Sequence, residues 1–247
     1  MHYHNPFHQK RHTTKASHGI KFVTSITTTI ALILVCALAV SQIIPTDRTD
    51  RSAKVAQGKT TRSKKPVKTT FTPASGEFRG VWISFQDIGE KRYTKKQFEN
   101  FINKTFDNCK KNGFNAVIVH VRPFADALYP SSYFPWSRYV SGKAGKHPGF
   151  DPLSYAVSAA HKRGLAFHAW INPYRIASNT TNVYKLPKKS IARKWAVSKK
   201  ASKRRNVLKW DGKLYFNPAS KDVQNLVCNG VREIVRDYAV DGIHFDD

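Results

Sequence analysis

Asp241-Gly-Ile-His-Phe-Asp246-Asp247, the last seven residues of a 247-residue chain, is the stretch on which the fold turns. A short apolar run opened by Asp-Gly and ended by two carboxylates reads as a buried β-strand that carries acids to its C-terminal tip. Placing acids there is costly unless they meet water, a sugar or a metal. Asp241, at the other end, reads as the cap of the turn that leads into the strand.

Strands of the same kind recur upstream, separated by helical periodicity. Arg79-Gly-Val-Trp-Ile-Ser-Phe85 is a near-continuous apolar strand. Thr94 to Asn112 is an amphipathic helix with its apolar face at 98, 101, 102, 105, 106 and 109, and Gly113 stops it. Ala116-Val-Ile-Val-His-Val-Arg122 is the second strand. Asp151 caps the next helix, with Pro152 at its first position, and that helix runs to about Arg163. Leu165-Ala-Phe-His-Ala-Trp-Ile171 is the third strand. A helix from Ser220 or Asp222 to near Tyr238 precedes the fourth. Strands apolar on both faces and joined by helices imply a parallel sheet with covered faces.

Two α/β architectures fit this order: an open doubly wound sheet and a (β/α)8 TIM-type barrel. The turn Ser84-Phe-Gln-Asp-Ile-Gly89 lacks a Gly-x-Gly-x-x-Gly phosphate cradle, which disfavours a dinucleotide fold. The expectation is therefore a barrel of which four parallel strands and three helices, the first half, are present.

The rest of the chain is of different composition. Residues 1–21 are a basic, His-rich tail whose histidines lack a scaffold to fix metal geometry. Residues 22–44 hold no charged side chain; as a helix they span roughly 34 Å, which fits either a transmembrane signal anchor or a cleaved signal peptide. Residues 45–75 read as a flexible basic linker, and only residues 76–247 carry the apolar content of a folded domain. The expected location is the cell membrane with the C-terminal domain extracellular, or secretion if the signal is cleaved. Cys36, Cys109 and Cys228 read as buried thiols with no metal or disulfide pattern, and no cofactor is expected.

The net charge of +26 is spread over both regions: 12 Lys/Arg against two Asp in residues 1–75, and 30 against 14 acidic residues in 76–247. Both parts should attract polyanions. For an exported protein these are acidic wall polymers or anionic lipids; the apolar segment and the lack of a recognised motif speak against nucleic acid.

In a barrel the chemistry sits at the C-terminal ends of the strands. Strand one is followed by Gln86 and Asp87, strand two by Arg122-Pro-Phe-Ala-Asp126. Strand three ends in His168-Ala-Trp170-Ile-Asn172-Pro-Tyr174-Arg175, strand four in His244-Phe-Asp246-Asp247. With period two, His168, Trp170 and Asn172 share one face, as do His244 and Asp246. Aromatics, an amide, an arginine and carboxylates at one rim suit a carbohydrate: rings stack on sugar faces and polar groups bond hydroxyls. Duller readings stand beside this one. His168 and His244 equally fit satisfied core histidines, Trp82 fits barrel packing, and Arg122 and Asp126 fit a pair near the surface. Asp246 has few structural jobs after so apolar a strand.

These motifs resemble a known family. Gly-Val-Trp at strand one, Val-His-Val-Arg-Pro at strand two, His-Ala-Trp-Ile-Asn-Pro-Tyr-Arg at strand three and Asp-Gly-Ile-His-Phe-Asp-Asp at strand four are similar, in order, to the bacterial glycosyl hydrolase-like 10 family. The resemblance covers about residues 76–247 and implies a (β/α)8 barrel, export to the cell envelope and hydrolysis of glycosidic bonds, in some members those of peptidoglycan glycan strands. Asp-Gly-Ile-His-Phe-Asp246 is also similar to the fourth-strand motif of the α-amylase superfamily, whose closing Asp is the nucleophile. Two departures stand out. The remaining four βα units of the barrel are missing, and Lys185 to Lys213 holds 12 Lys/Arg and one Asp. That stretch reads equally as a grip for acidic wall polymers or as a solvated surface insertion.

The expected chemistry is two-carboxylate hydrolysis of a cell-envelope polysaccharide. Asp246 and Asp247 are the candidate catalytic residues. Arg122, Asp126, His168, Trp170, Asn172, Tyr174, Arg175 and His244 are the candidate substrate ligands, and the proton donor is expected beyond the fourth strand. The alternatives are a metal-dependent hydrolase or deacetylase using His168, His244, Asp246 and Asp247, which lacks the usual His-x-His spacing, and a non-catalytic glycan-binding protein.

Overall fold

The computed structural model describes residues 76–246. The expectations for the tail 1–21, the apolar segment 22–44, the linker 45–75 and Asp247 lie outside the described residues. In chain order the elements are β1 (Gly80–Ile83), α1 (Phe85–Ile88), α2 (Lys95–Lys111), β2 (Ala116–Arg122), α3 (Arg138–Ser141), α4 (Pro152–His161), β3 (Ala166–Ile171), β4 (Arg175–Ala177), α5 (Ile191–Ala196), α6 (Ala201–Arg204), β5 (Val207–Trp210), β6 (Lys213–Phe216), α7 (Lys221–Asp237) and β7 (Gly242–Phe245). The four strands read from the sequence form one parallel sheet in the order β1-β2-β3-β7. Each new strand is added beside the last, with no switch point where the order reverses.

Local chemistry sets the helix limits. At α2, Thr94 Oγ1 accepts from the Gln97 amide at 3.2 Å while Gln97 Oε1 accepts from the Thr94 amide at 3.0 Å, a reciprocal cap. Lys110 and Lys111 lie in its last turn, and Gly113 follows with φ +81°, a conformation glycine adopts without strain. Phe98, Ile102, Phe106 and Cys109 form its buried stripe. Asp151 Oδ1 accepts from the Ser154 amide to start α4, with Pro152 at the first position. Asp241 acts as a structural cap, as its position suggested. Its Oδ2 accepts from the Phe167 amide at 2.7 Å and lies 2.7 Å from His161 Nε2, tying the end of α4 and the start of β3 to the start of β7.

The segment between β3 and α7, whose lysines and arginines are mostly exposed, is nonetheless ordered. It holds α5, α6 and a second, antiparallel sheet, β4-β6-β5. In β6 the burial alternates, Leu214 and Phe216 inward against Lys213 and Tyr215, so period two buries an apolar row despite the basic surroundings. Asp211 and Gly212, at φ +46° and +68°, make the two-residue turn between β5 and β6.

Register sorts the side chains of the main sheet. Trp82 pairs with Ile118, Ile118 with His168 and His168 with Gly242; one row higher, His120 pairs with Trp170 and Trp170 with His244. These rows share a face, called here the inner face. Between His120 and Arg122 the register slips, and Arg122 pairs with Ile171 instead. The irregularity turns Arg122 to the opposite, helix-covered face. There it is 1% exposed, its guanidinium 4.4 Å above the Phe134 ring and against Gly230 of α7. Arg122 was expected on the rim with His168 and Asn172, or near the surface paired with Asp126; both placements are corrected. A β-carbon on Gly230 would lie 2.8 Å from Arg122 Nη1 and 2.8 Å from the Phe134 ring. Gly230→Ala should therefore cost about 1–2 kcal/mol in urea unfolding, overpacking outweighing the roughly 1 kcal/mol helix-propensity gain of alanine. A neutral or stabilising effect would mean that Arg122 lies elsewhere.

Candidate functional site

The inner face is built around His120. Its ring stacks on Trp170 with centroids 3.7 Å apart and planes 9° from parallel, and Phe85 packs 5.4 Å away. His120 Nε2 lies 3.1 Å from Asn172 Oδ1, and Asn172 Nδ2 donates to the Pro123 carbonyl at 3.1 Å. An acceptor oxygen opposite Nε2 fixes the tautomer with the proton on Nε2. Asn172, expected as a sugar ligand, is 1% exposed with its amide engaged at both ends; it orients His120 instead. Burial pushes the His120 pKa down to about 4, against a partial upward pull from the Asn172 bond. Arg175, Asp246 and His244 all act on His120 through space, so strand ends β2, β3 and β7 meet at this imidazole.

His244 closes the other side. Trp82 Nε1 donates to His244 Nε2 at 3.2 Å, and Trp170 meets His244 edge to face at 6.0 Å. Trp82 is thus more than packing: it is 55% exposed and holds a histidine of the site. His168 sits one row lower, under Phe78 at 5.2 Å and against Gly242, so it serves the floor of the face, not its rim. Burial lowers its pKa. Asp246 is exposed at the tip of β7, its amide donating to the Ile171 carbonyl at 3.2 Å. Trp170 is half-buried; Trp170 Nε1 and His120 Nδ1 are buried donor or acceptor atoms without a hydrogen-bond partner among the described residues.

Other candidates lie apart. Asp126 is half-buried in a separate cavity of about 200 Å³ beside Arg138 and Lys185. Its Oδ1 accepts from the Phe124 amide at 3.1 Å. Burial pushes its pKa up to about 6, with Ser137, the Phe124 amide and Arg138 pulling the other way. Tyr174 leads from β3 into the second sheet, its carbonyl accepting from the Phe216 amide, and Arg175 opens β4. Asp87 caps α1, accepting from the Ser84 amide and hydroxyl. Asp247 lies outside the described residues. Among the described residues no three His, Cys, Asp or Glu side chains converge as metal ligands, and His244 Nε2 is already taken by the Trp82 indole.

His120 escaped the residue-by-residue reading because one histidine in an apolar strand looks like core. Only the register of the neighbouring strands sets it beside Trp170 and, through Trp170, His244.

The shifted pKa values have consequences of known sign. A histidine at about 4 when folded and 6.5 when unfolded contributes stability that is complete above pH 6.5 and lost as pH falls toward 4. Asp126, raised from 3.8 to about 6, acts oppositely: its contribution is complete below pH 3.8 and lost as pH rises through 6. His120→Gln should therefore erase about 3 kcal/mol of acid sensitivity between pH 7 and pH 4, read as the difference between variant and wild type at each pH. A parallel pair of stability curves would show that His120 titrates normally.

Several known proteins resemble part of this chain. The glycosyl hydrolase YngK of Bacillus subtilis (strain 168) is 40% identical over 179 residues, covering 69% of this chain and 33% of that protein. The glycosyl hydrolase DigH of Escherichia coli (strain K12) is 31% identical over 194 residues, covering 74% of this chain and 44% of DigH. The alignments thus span less than half the length of either relative. Among solved structures, the maltogenic α-amylase AmyB of Thermotoga neapolitana superposes with a TM-score of 0.44 at 15% identity, covering 69% of this chain and 39% of that one. The profile of one family matches residues 77–247, the whole region of the parallel sheet, and the chain belongs to it: the glycosyl hydrolase-like 10 family.

Proposed function

We propose that the protein is a glycoside hydrolase acting on a cell-envelope polysaccharide, with peptidoglycan glycan strands as the leading candidate, and that its four parallel strands are the first half of a (β/α)8 barrel. The one-way strand order supports the barrel reading: in a doubly wound sheet the order reverses, in a barrel it advances. The observation that carries the function is the convergence of the Trp82, Trp170 and His244 rings on one face, with the exposed Asp246 carboxylate at its upper edge.

The chemistry follows from those positions. A pyranose laid against Trp170 presents its anomeric carbon toward the tip of β7. Asp246 attacks that carbon, or deprotonates the water that does, as the glycosidic C–O bond breaks and the leaving oxygen takes a proton from a general acid. Asp247 is proposed as its neighbour in this task. His120, neutral above about pH 5 because burial disfavours its charge, backs the Trp170 ring from within while Asn172 holds Nε2. His244 and Arg175 are assigned to substrate hydroxyls, and Asn172 to positioning His120. We further propose that residues 22–44 carry the domain to the outer face of the cell membrane, on the strength of their uncharged, apolar run.

Asp246→Asn should lower the release of reducing ends from purified envelope glycan by roughly a thousandfold, the scale of losing a positioned acid–base or nucleophilic group, with binding and unfolding midpoint unchanged. Glycan binding by the wild type without new reducing ends would favour a binding protein; near-normal turnover by the variant would remove Asp246 from the reaction.

A further inference from the structure

Outside the inner face, the loop after β2 and the segment after β4 face each other across a groove of about 730 Å³. One wall presents Tyr133 and Trp136. The other presents Pro187, Lys188, Lys189 and, from α5, Lys194. Among the described residues, none that lines the groove is acidic. The three lysines are exposed and make no ion pair among the described residues.

The walls are fixed. Glu233 of α7, 3% exposed, accepts from Ser131 Oγ at 2.5 Å and from the Ser132 amide at 2.6 Å. Ser131 Oγ in turn accepts from the Tyr133 and Phe134 amides, each at 3.1 Å, and Phe134 lies under the Arg122 guanidinium. The aromatic wall is therefore pinned from beneath by a buried carboxylate. On the cationic side, Arg193 Nη1 donates to the Tyr184 and Leu186 carbonyls at 3.0 and 2.9 Å, holding the turn that carries Pro187 to Lys189. The walls touch at Gly145: its amide donates to the Trp136 carbonyl at 2.7 Å, and a β-carbon there would come within 3.3 Å of Pro187.

We propose that this groove is a second, non-catalytic binding site for an anionic saccharide chain, whose rings lie on Trp136 and Tyr133 and whose acidic substituents face Lys188, Lys189 and Lys194. The proposal rests on the saccharide reading of the inner face and adds the charge of the chain. A neutral glycan would use one wall only. A polyanion met by lysines alone would leave the pinned aromatic wall idle. Three ammonium groups with no acid among them raise the local concentration of an anionic ligand, an attraction that salt weakens.

Calorimetry on the full-length Asp246→Asn variant tests this without turnover, so a failure of the hydrolase reading leaves the readout intact. The probes are oligogalacturonate, a neutral chito-oligosaccharide and a single-stranded oligonucleotide. Oligogalacturonate should bind in a salt-dependent way. Lys188→Gln with Lys189→Gln and Lys194→Gln, all surface changes, should weaken it by about tenfold, as should Trp136→Ala, with Trp136→Phe restoring most of the loss if the fold is kept. The neutral probe should ignore the lysine changes. Unchanged oligogalacturonate binding in the triple variant would overturn the proposal. Oligonucleotide binding as tight as that of oligogalacturonate, with the same dependence on the lysines and Trp136, would overturn it equally, in favour of nucleic acid.

Discussion

The slip in register between His120 and Arg122 is the constraint on which the rest of the structure depends. Strand alternation would place both side chains on one face. That face would then hold a buried cation beside a desolvated imidazole, a costly arrangement. The irregularity separates them. His120 stays inside, stacked on Trp170; Arg122 goes outside, over Phe134 and against the helix that carries Glu233. Each placement has structural followers. On the inner face, Asn172 is drawn into holding His120. On the outer face, the Ser131–Phe134 turn is pinned by Glu233 and Phe134, and that turn is one wall of the lysine groove. A single irregular pair thus shapes both the site and its neighbour.

The burial of Arg122 is itself informative. Its Nε and Nη1 have no hydrogen-bond partner among the described residues, while Tyr129, Asp126 and Glu233 act on it at a distance. A lone buried guanidinium is expensive. Its compensation here is the ring beneath it and the surrounding negative groups, not a direct pair. Gly230 is part of that arrangement, since only a residue without a side chain leaves room for Nη1.

Much of the fold was legible because its signals are local. The Thr94/Gln97 cap, Asp151-Pro152 and Gly113 mark helix limits within a few residues of themselves, and the four apolar strands stand out by composition. Asp241 was legible as a cap for the same reason. The register slip was not, because it depends on pairing with a strand some 50 residues away in sequence, where Arg122 meets Ile171; its place at a strand end alone put Arg122 on the rim. The role of Asn172 was hidden likewise: an amide at a strand end looks like a ligand until its partners, His120 and Pro123, are placed. The second sheet was masked by charge. Lysines and arginines dominate Lys185 to Lys213, yet Leu214-Tyr-Phe216 behind the Asp211-Gly212 turn carries a short local hairpin signal.

The central claim is that His120 is a desolvated, inward-facing imidazole packed on Trp170. NMR of the imidazole nitrogens through an acid titration tests it most directly. The account predicts a His120 resonance that stays neutral, with Nε2 protonated, until about pH 4. A His120 that titrates near 6.5 as a freely solvated ring would contradict the claim, and with it the division of faces from which the site is built.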